Sequence, residues 1–464
     1  MSTAPPTTTD QSPQSVSPAP TRKTWSSLRP LVLRLHFYAG VLVAPFLLVA
    51  AATGFLYAAS FQAEKIIYSH ELTVPVGDKK LALSDQVAAA RKAHPEGTVS
   101  AVRPSPEADA TTRVMISGAP GIDADHTLAV FVDPYTAKVR GALEQYGSTG
   151  ALPVRTWIDE FHRDLHLGDN GRLYSELAAS WLWVIASGGL GLWFARRRSQ
   201  RKVRGTSGRR RTLGLHGTVG VWAAAGFIFL SATGLTWSTY AGANIDVLRT
   251  SLGQSTPSVS AAGGEHAEHD AAAGAGETES GAGVDEILAA ARAKGLGDPV
   301  EIIPPADASS TYVVKQVQRS WPTKQDAVAV DPTTGEVTDE LRFADYPVLA
   351  KLTRWGIDAH TGVLFGLVNQ IVLMALTGSL ILLIVLGYRM WWLRGRASAF
   401  GRPIPRGAWA QVPPQILVPA MATIAVLGYF VPLLGIPLAV FIAVDVLLGE
   451  IAHRRGRSFS PSGV

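Results

Sequence analysis

Long apolar segments constrain the fold of this chain more than any other feature of its sequence. A bilayer core about 30 Å thick is crossed by a helix of about 20 apolar residues. Four segments meet this length and predict membrane-spanning helices, whereas a fifth, interrupted near its middle by Pro432, predicts a hairpin of two shorter spans. A single tilted helix is the alternative for the fifth segment. The segments cover residues 31–59, 173–195, 213–240, 361–388 and 416–448.

The composition agrees with a membrane protein and excludes several cofactors. Only 17% of the 464 residues are charged, whereas soluble domains carry about a quarter. The chain has no cysteine, which excludes disulfides, cysteine-ligated zinc, iron–sulfur clusters and covalently attached c-type haem. The sequence contains no P-loop, HExxH or dinucleotide-binding glycine motif, so neither hydrolysis nor a nicotinamide or flavin domain is expected. No nucleic-acid partner is expected either.

Basic residues orient the predicted spans. Residues 196–211 contain many arginines and lysines and no acidic residue, which predicts a cytoplasmic loop. Both termini then lie in the cytoplasm. The predicted divisions are a disordered tail (1–24), TM1 (25–60), an outer domain (61–164), TM2 (165–198), a basic loop (199–211), TM3 (212–240), a linker with a second outer domain (241–357), TM4 (358–396), a loop (397–412), TM5 (413–431), TM6 (432–450) and a cytoplasmic tail (451–464).

The two polar insertions have the same internal order. Each contains a helix-like stretch followed by alternating strand-like runs. Asp133-Pro134 and Asp331-Pro332 each predict a turn between two strands. We therefore expect two small α+β domains outside the cytoplasm, the second preceded by a mobile Gly/Ala-rich linker at about 253–283.

An internal repeat is the most informative pattern in the chain. In the first and third spans a histidine, His36 or His216, is followed by glycine four residues later and by Thr-Gly starting seventeen residues later. The second and fourth spans begin with DLHLG and DAHTG, which contain His166 and His360. The predicted fold is thus an all-α polytopic membrane protein, with four principal spans as a 2+2 repeat, a C-terminal hairpin and two small outer domains.

The repeat predicts two layers of paired histidines. Seventeen helical residues span about 25 Å, so His36 and His216 lie near the cytoplasmic face and His166 and His360 near the outer face. Imidazole pairs without cysteine or clustered carboxylates suit the axial positions of haem b, and two haems are expected. His162 is a further candidate ligand, which leaves one or three haems as alternatives. Expected neighbours of the macrocycles are Gly40, Gly54, Gly220 and Gly234, and expected propionate partners are Arg34, Arg163 and Arg354.

Four phrases resemble the PepSY-associated transmembrane family. They are LHFYAGVLVAPFLLVAAATG (35–54), FHRDLHLGDNGRLYSELAASWLWV (161–184), LHGTVGVWAAAGFIFLSATGLTWS (215–238) and DAHTGVLFGLVNQ (358–370). The two Val-Asp-Pro phrases are similar to the strand–turn–strand of PepSY domains. The resemblance implies a bacterial inner-membrane ferric-siderophore reductase, in which His36, His216, His166 and His360 hold haem iron.

The expected activity is electron transfer across the bilayer to an external ferric chelate. Reduction to Fe(II) weakens binding by hard oxygen donors and releases the metal. The donor is expected to be a membrane quinol or a redox partner protein. Two alternatives remain open. One is a non-enzymatic membrane-anchored protein whose PepSY-like domains bind peptides or a partner, and the other is a transporter of metals or small solutes.

Overall fold

The structure is a computed structural model that describes residues 24–199, 208–260, 282–307, 309–393 and 412–454. The predicted N-terminal tail, most of the linker and the loop at 397–411 lie outside these residues. The described helices are α1 Thr24–Leu42, α2 Ala44–Ile67, α3 Ser69–Leu72, α4 Leu83–Ala93, α5 Pro153–Asp164, α6 Gly168–Ser199, α7 Gly208–Leu235, α8 Tyr240–Ser251, α9 Val284–Ala293, α10 Val348–Thr361, α11 Gly366–Trp392, α12 Pro414–Phe430 and α13 Pro432–Arg454, with one 3-10 turn at Phe343–Asp345.

Four helices in the described part of the chain are long and apolar enough to cross a membrane, so the chain is a multi-pass membrane protein. They are Ala44–Ile67, Gly168–Arg196, Gly208–Leu235 and Gly366–Trp392. In this bundle α6 packs along α7 and α2 along α11, while α7 also contacts α11. Small residues such as Ala44, Ala178 and Ala223 in the buried core allow the helices to approach closely.

The ends of the spans differ from the prediction. The first span is not one helix over 25–60, because a turn at Val43, just before Pro45, separates α1 from α2. The segment just before the predicted TM2 and the segment that contains the predicted start of TM4 fold as the separate helices α5 and α10. These helices end where Leu165 and Gly362 adopt left-handed φ values of 59° and 87°. The histidine-bearing segments therefore precede α6 and α11 and do not extend them.

The outer region is one antiparallel sheet of eight strands, not two separate domains. The strand order is β4-β3-β2-β1-β5-β6-β7-β8. The halves join where β1 pairs with β5 through Val102 and Ile302, and Arg103 Nε donates to Glu301 Oε2 across this seam at 2.6 Å. The strands are β1 Thr98–Arg103, β2 Thr112–Ser117, β3 His126–Val132, β4 Val139–Tyr146, β5 Val300–Ile303, β6 Tyr312–Gln316, β7 Ala327–Val330 and β8 Val337–Leu341.

Contacts between the halves make the outer region one packed body. Helices α4 and α9 contact each other and share one hydrophobic core with the sheet. Asp285 at the start of α9 accepts hydrogen bonds from the backbone nitrogens of Leu83 (2.7 Å) and Ser84 (3.1 Å), which begin α4. The predicted turns are confirmed, since the Asp133 and Asp331 carboxylates accept backbone hydrogen bonds between β3 and β4 and between β7 and β8.

The fifth apolar segment folds as two helices, α12 and α13, that lie against each other. A Cβ added to Gly435 would stand 2.5 Å from the Gly428 Cα, so this crossing requires glycine. The hairpin is attached to the bundle because Trp181 Nε1 donates to the Leu433 carbonyl at 3.0 Å.

Candidate functional site

Histidines lie in two groups at opposite ends of the bundle. We call His36 and His216 the far-side pair, because they lie at the end away from the sheet. Their ring centroids are 6.4 Å apart, and the ring planes are inclined at 80°. A metal ion bonded to one nitrogen of each ring at about 2.1 Å, with the rings on opposite sides of it, would place the centroids about 6.5 Å apart. The far-side pair therefore has the spacing of two ligands of one metal ion.

Backbone carbonyls orient the far-side rings. His36 Nδ1 lies 3.0 Å from the Ile185 carbonyl oxygen on α6. Since a carbonyl only accepts, Nδ1 carries the proton and Nε2 retains its lone pair. The His216 ring faces the backbone of Leu383 on α11, but its buried Nδ1 has no hydrogen bond of normal geometry.

Glycines surround the far-side pair. A Cβ at Gly189 would stand 2.9 Å from His36 Cε1, so the ring occupies the space that a side chain would need. A Cβ at Gly40, one turn after His36, would meet no atom within 4 Å, and one at Gly220 would meet only Leu383, at 3.9 Å. These positions leave room for a flat ligand beside the pair.

His162 and His360 form the second group, which we call the sheet-side pair. His162 Nδ1 lies 2.8 Å from Thr53 Oγ1 on α2, and His360 Nδ1 lies 2.6 Å from Thr233 Oγ1 on α7. Each hydroxyl already donates to a carbonyl of its own helix at 2.8 Å. The threonine oxygen therefore accepts from Nδ1, and Nε2 of both histidines remains available as a ligand atom.

The same contacts occur on both sides of the sheet-side pair. A Cβ at Gly54 would stand 3.2 Å from His162 Cε1, and one at Gly234 would stand 3.8 Å from His360 Cε1. Both glycines follow the threonines that orient the rings.

His162, and not His166, occupies the position equivalent to His360, which corrects the predicted outer layer. His166 follows the left-handed end of α5 and has a φ of 55° itself. Its ring packs beside Trp157 at 5.0 Å, and its Nδ1 lies 3.2 Å from Glu160. The sequence contains a signal for the correct match: Trp193 and Trp391 are 198 positions apart, as are His162 and His360, whereas His166 requires a shift of 194.

The arginines expected to hold propionates have protein partners. Arg34 pairs with Asp445 on α13, and Arg354 pairs with Asp358 at 3.2 Å. Arg163 contacts the Tyr146 hydroxyl. Arg34 and Arg163 join separate elements of the fold, whereas Arg354 and Asp358 both lie on α10.

A cavity of about 600 Å³ lies between the seam of the sheet and the ends of the spans. Arg319, in its wall, donates from Nε to Asp358 Oδ1 at 2.6 Å, but its buried Nη1 has no hydrogen-bond partner among the described residues. At the seam, burial alone would raise the pKa of Glu301, but Lys315 and the cavity-lining Arg103 lower it to about 2. The lining residues are Phe61, Arg103, Pro106, Glu107, Ser148, Thr149, Arg155, Asp298, Pro299, Val317, Gln318, Arg319, Ser320 and Val363.

Comparison with known proteins identifies the family. The family model of the PepSY-associated TM region matches residues 33–394, which include every histidine of the two pairs. No curated protein matches the chain.

Proposed function

Because the chain belongs to the family of the PepSY-associated TM region, we propose that it carries electrons across a membrane through two b-type haems and reduces an external ferric chelate. The far-side pair would hold one haem and the sheet-side pair the other. The observation that carries this proposal is the orientation of the imidazoles: in three of the four, an accepting oxygen fixes the proton on Nδ1 and leaves Nε2 free.

The duplicated contacts support a repeated unit for the membrane region. His36 and His216 face Ile185 and Leu383, which are 198 positions apart, the shift that also relates His162 to His360. We infer that a span, an outer half and a second span arose twice. Such symmetry would provide one ligand from each half at both levels of the bundle.

The chain's own residues would fix the ligands and exclude water. Haem, when bound, supplies a one-electron carrier whose potential depends on its axial ligands and burial. The Ile185 carbonyl and the two threonine hydroxyls hold the rings in one tautomer, which keeps Nε2 directed toward the metal position. Seventeen residues, helical except for the turn at Val43, separate His36 from Thr53, so the two levels are at most about 25 Å apart.

Charge distribution supports an orientation for electron flow. The basic loop around 196–211 connects the ends of α6 and α7 that lie away from the sheet. By the positive-inside rule we infer that the far-side pair lies near the cytoplasm, that both termini are cytoplasmic and that the sheet lies on the opposite side. The proposed membrane is a bacterial inner membrane. A membrane quinol or redox partner protein would donate at the far-side pair.

The cavity is the proposed acceptor site. Its volume of about 600 Å³ lies within the usual range of small-ligand sites, about 300–1,000 Å³. The unpartnered Arg319 Nη1 favours an oxygen-rich, anionic ferric chelate. Arg319 is bonded to Asp358, two residues before His360, so an acceptor there would be close to the sheet-side pair.

Absorption spectroscopy tests the proposal. Protein purified from haem-replete cells should show a Soret band and a sharp α-band after dithionite, and an anaerobic ferric chelate should reoxidise it. His216→Ala and His162→Ala should each remove one haem, whereas His166→Ala, the matched control, should retain both. A colourless protein would refute electron transfer and leave a binding protein or a transporter as the remaining functions.

The acceptor site has its own test. Arg319→Lys retains a positive charge near Asp358 but removes Nη1. We expect full haem content and a weaker apparent affinity for ferric citrate, with little change at saturation. Unchanged affinity would exclude Arg319 from acceptor binding.

A further inference from the structure

The short helix α8 leaves an apolar face exposed directly after the third span. It covers Tyr240–Ser251 and begins five residues after α7 ends. Val247 and Leu248 on this helix are 69% and 48% exposed, and Leu252, just beyond its end, is 58% exposed. We propose that α8 lies in the lipid–water interface on the side of the sheet, with these three side chains among the lipid acyl chains.

A contact with the C-terminal hairpin shows which way this face is turned. Asn244 Nδ2 donates to the Phe430 carbonyl at 3.1 Å, at the end of α12. Residues three and four positions apart lie on the same face of a helix, so Val247 and Leu248 lie on the face of α8 that contacts the hairpin. Beside this contact the hairpin exposes Tyr429 and Phe430. The apolar face of α8 is therefore continuous with the apolar surface of the hairpin, which packs on the spans.

The opposite face of α8 is polar. Arg249 Nη1 lies 3.7 Å from Asp246 Oδ1, and the Asp246 side chain is 70% exposed. Both residues lie about 150° around the helix axis from the centre of the apolar face, because successive residues are about 100° apart. Twelve residues are too few to cross a bilayer, whereas a helix with one apolar and one polar face lies in the plane of the interface. The opposite charges of this pair leave apolar burial as the main attraction to lipid.

The first turn of α8 is attached to the bundle. Glu176 on α6 is 1% exposed, and its carboxylate accepts hydrogen bonds from the backbone nitrogens of Tyr240 (3.0 Å) and Ala241 (2.9 Å). A carboxylate in this position satisfies amides that have no partner within the helix. Trp237 and Tyr240, 43% and 49% exposed beside this turn, are residues of the type that is enriched at membrane interfaces. These contacts hold α8 where the spans meet the outer region.

The end of α8 is connected to the second outer half. Gln254 Oε1 accepts a hydrogen bond from the Leu349 backbone nitrogen at 3.2 Å. Leu349 lies in the first turn of α10, the helix that bears His360. Lipid contact of α8 therefore holds this helix, and the half of the sheet that follows the third span, at a fixed height above the membrane. The lipid contact does not depend on haem.

Spin labelling of the full-length protein tests the inference. The chain has no cysteine, so Val247→Cys provides a single labelling position, and the adjacent Asp246→Cys is the matched control on the polar face. Each labelled protein is placed in phosphatidylcholine nanodiscs that hold one copy. Accessibility of the label is measured to oxygen, which concentrates in lipid, and to a water-soluble nickel chelate. Because an interfacial helix buries its apolar face about 5–10 Å deep, the oxygen-to-nickel ratio should be roughly fivefold larger at position 247 than at position 246.

The outcomes separate this inference from the proposed function. Leu248→Cys, on the same face as Val247, should give the same high ratio. Equal ratios at positions 246 and 247 would overturn the inference, and so would a label at position 247 that is shielded from both reagents, because protein and not lipid would then cover the face. Haem content is measured on the same samples. A high ratio without haem refutes only electron transfer, whereas equal ratios in protein that contains haem refute only the lipid contact.

Discussion

The contact between Gly189 and His36 gives a sharp prediction about haem retention. Gly189→Ala places a methyl carbon 2.9 Å from His36 Cε1 and 3.7 Å from Nε2. Carbon atoms pack at about 3.5–4.0 Å, so the ring must move by roughly 0.6 Å. That movement changes the position of the proposed ligand atom. The neighbouring Gly188→Ala is the matched control, since its methyl would lie 3.8 Å from His36, an ordinary contact.

The expected cost follows from overpacking. Adding a methyl to a tightly packed site costs about 1–3 kcal/mol. At about 1.4 kcal/mol per tenfold change, haem at the far-side pair should bind roughly 5- to 150-fold more weakly. Gly188→Ala should leave binding unchanged and stabilise the helix by up to about 1 kcal/mol, because alanine favours helix more than glycine does.

Haem transfer to excess apomyoglobin measures the effect. Wild type and Gly188→Ala should lose haem at the same slow rates, whereas Gly189→Ala should lose one of the two proposed haems at least fivefold faster. The second proposed haem, at the sheet-side pair, would serve as the internal reference. If Gly189→Ala lost haem at the wild-type rate, or if Gly188→Ala lost it as fast as Gly189→Ala, the assignment of His36 as a haem ligand would be refuted.

Three further predictions concern other contacts. The methyl carbon added by Gly54→Ala would lie 3.2 Å from His162 Cε1, whereas that of Gly234→Ala would lie 3.8 Å from His360 Cε1. Gly54→Ala should therefore accelerate loss of the proposed sheet-side haem more than Gly234→Ala. Arg103 and Lys315 lower the pKa of Glu301 to about 2. The ionised carboxylate therefore adds about 3 kcal/mol to the free energy of unfolding above pH 4.5, and this stabilisation is lost as the pH falls toward 2. Glu301→Gln should therefore have a lower melting temperature at pH 7 and should not show the fall in melting temperature that this carboxylate causes between pH 4.5 and 2. A melting temperature that depends on pH as in the wild type would contradict this prediction. Asp285→Ala removes the cap of α4, worth about 1 kcal/mol, and should accelerate amide exchange in its first turn about fivefold.

Hydropathy and spacing predicted the spans and the far-side pair, because both depend on helix geometry alone. His36 and His216 lie on helices whose apolar pattern defines their depth. The sheet-side pair depends on where α5 ends, and that depends on a left-handed residue, Leu165, which is not a glycine. Residues of this type rarely adopt that conformation, so the matching DLHLG and DAHTG phrases favoured His166. Only the 198-residue spacing that His162 and His360 share with the two tryptophans indicated His162.

The pairing of the two halves into a single sheet was not predicted from the sequence, and the reason is physical. Alternating residues predict each strand and its faces, but not which strand lies beside it. The seam consists of backbone pairing at Val102 and Ile302 with one ion pair across it. These residues are far apart in the chain, and neither half alone indicates a partner.

The seam makes each outer half incomplete by itself. Strands β1 and β5 are central in the intact protein. If the halves were expressed separately, each of these strands would become an unpaired edge strand. An edge strand with unpaired backbone amides and carbonyls can pair with strands of other molecules, so such fragments would aggregate. The chain must therefore finish its third crossing of the bilayer before the first outer half is shielded.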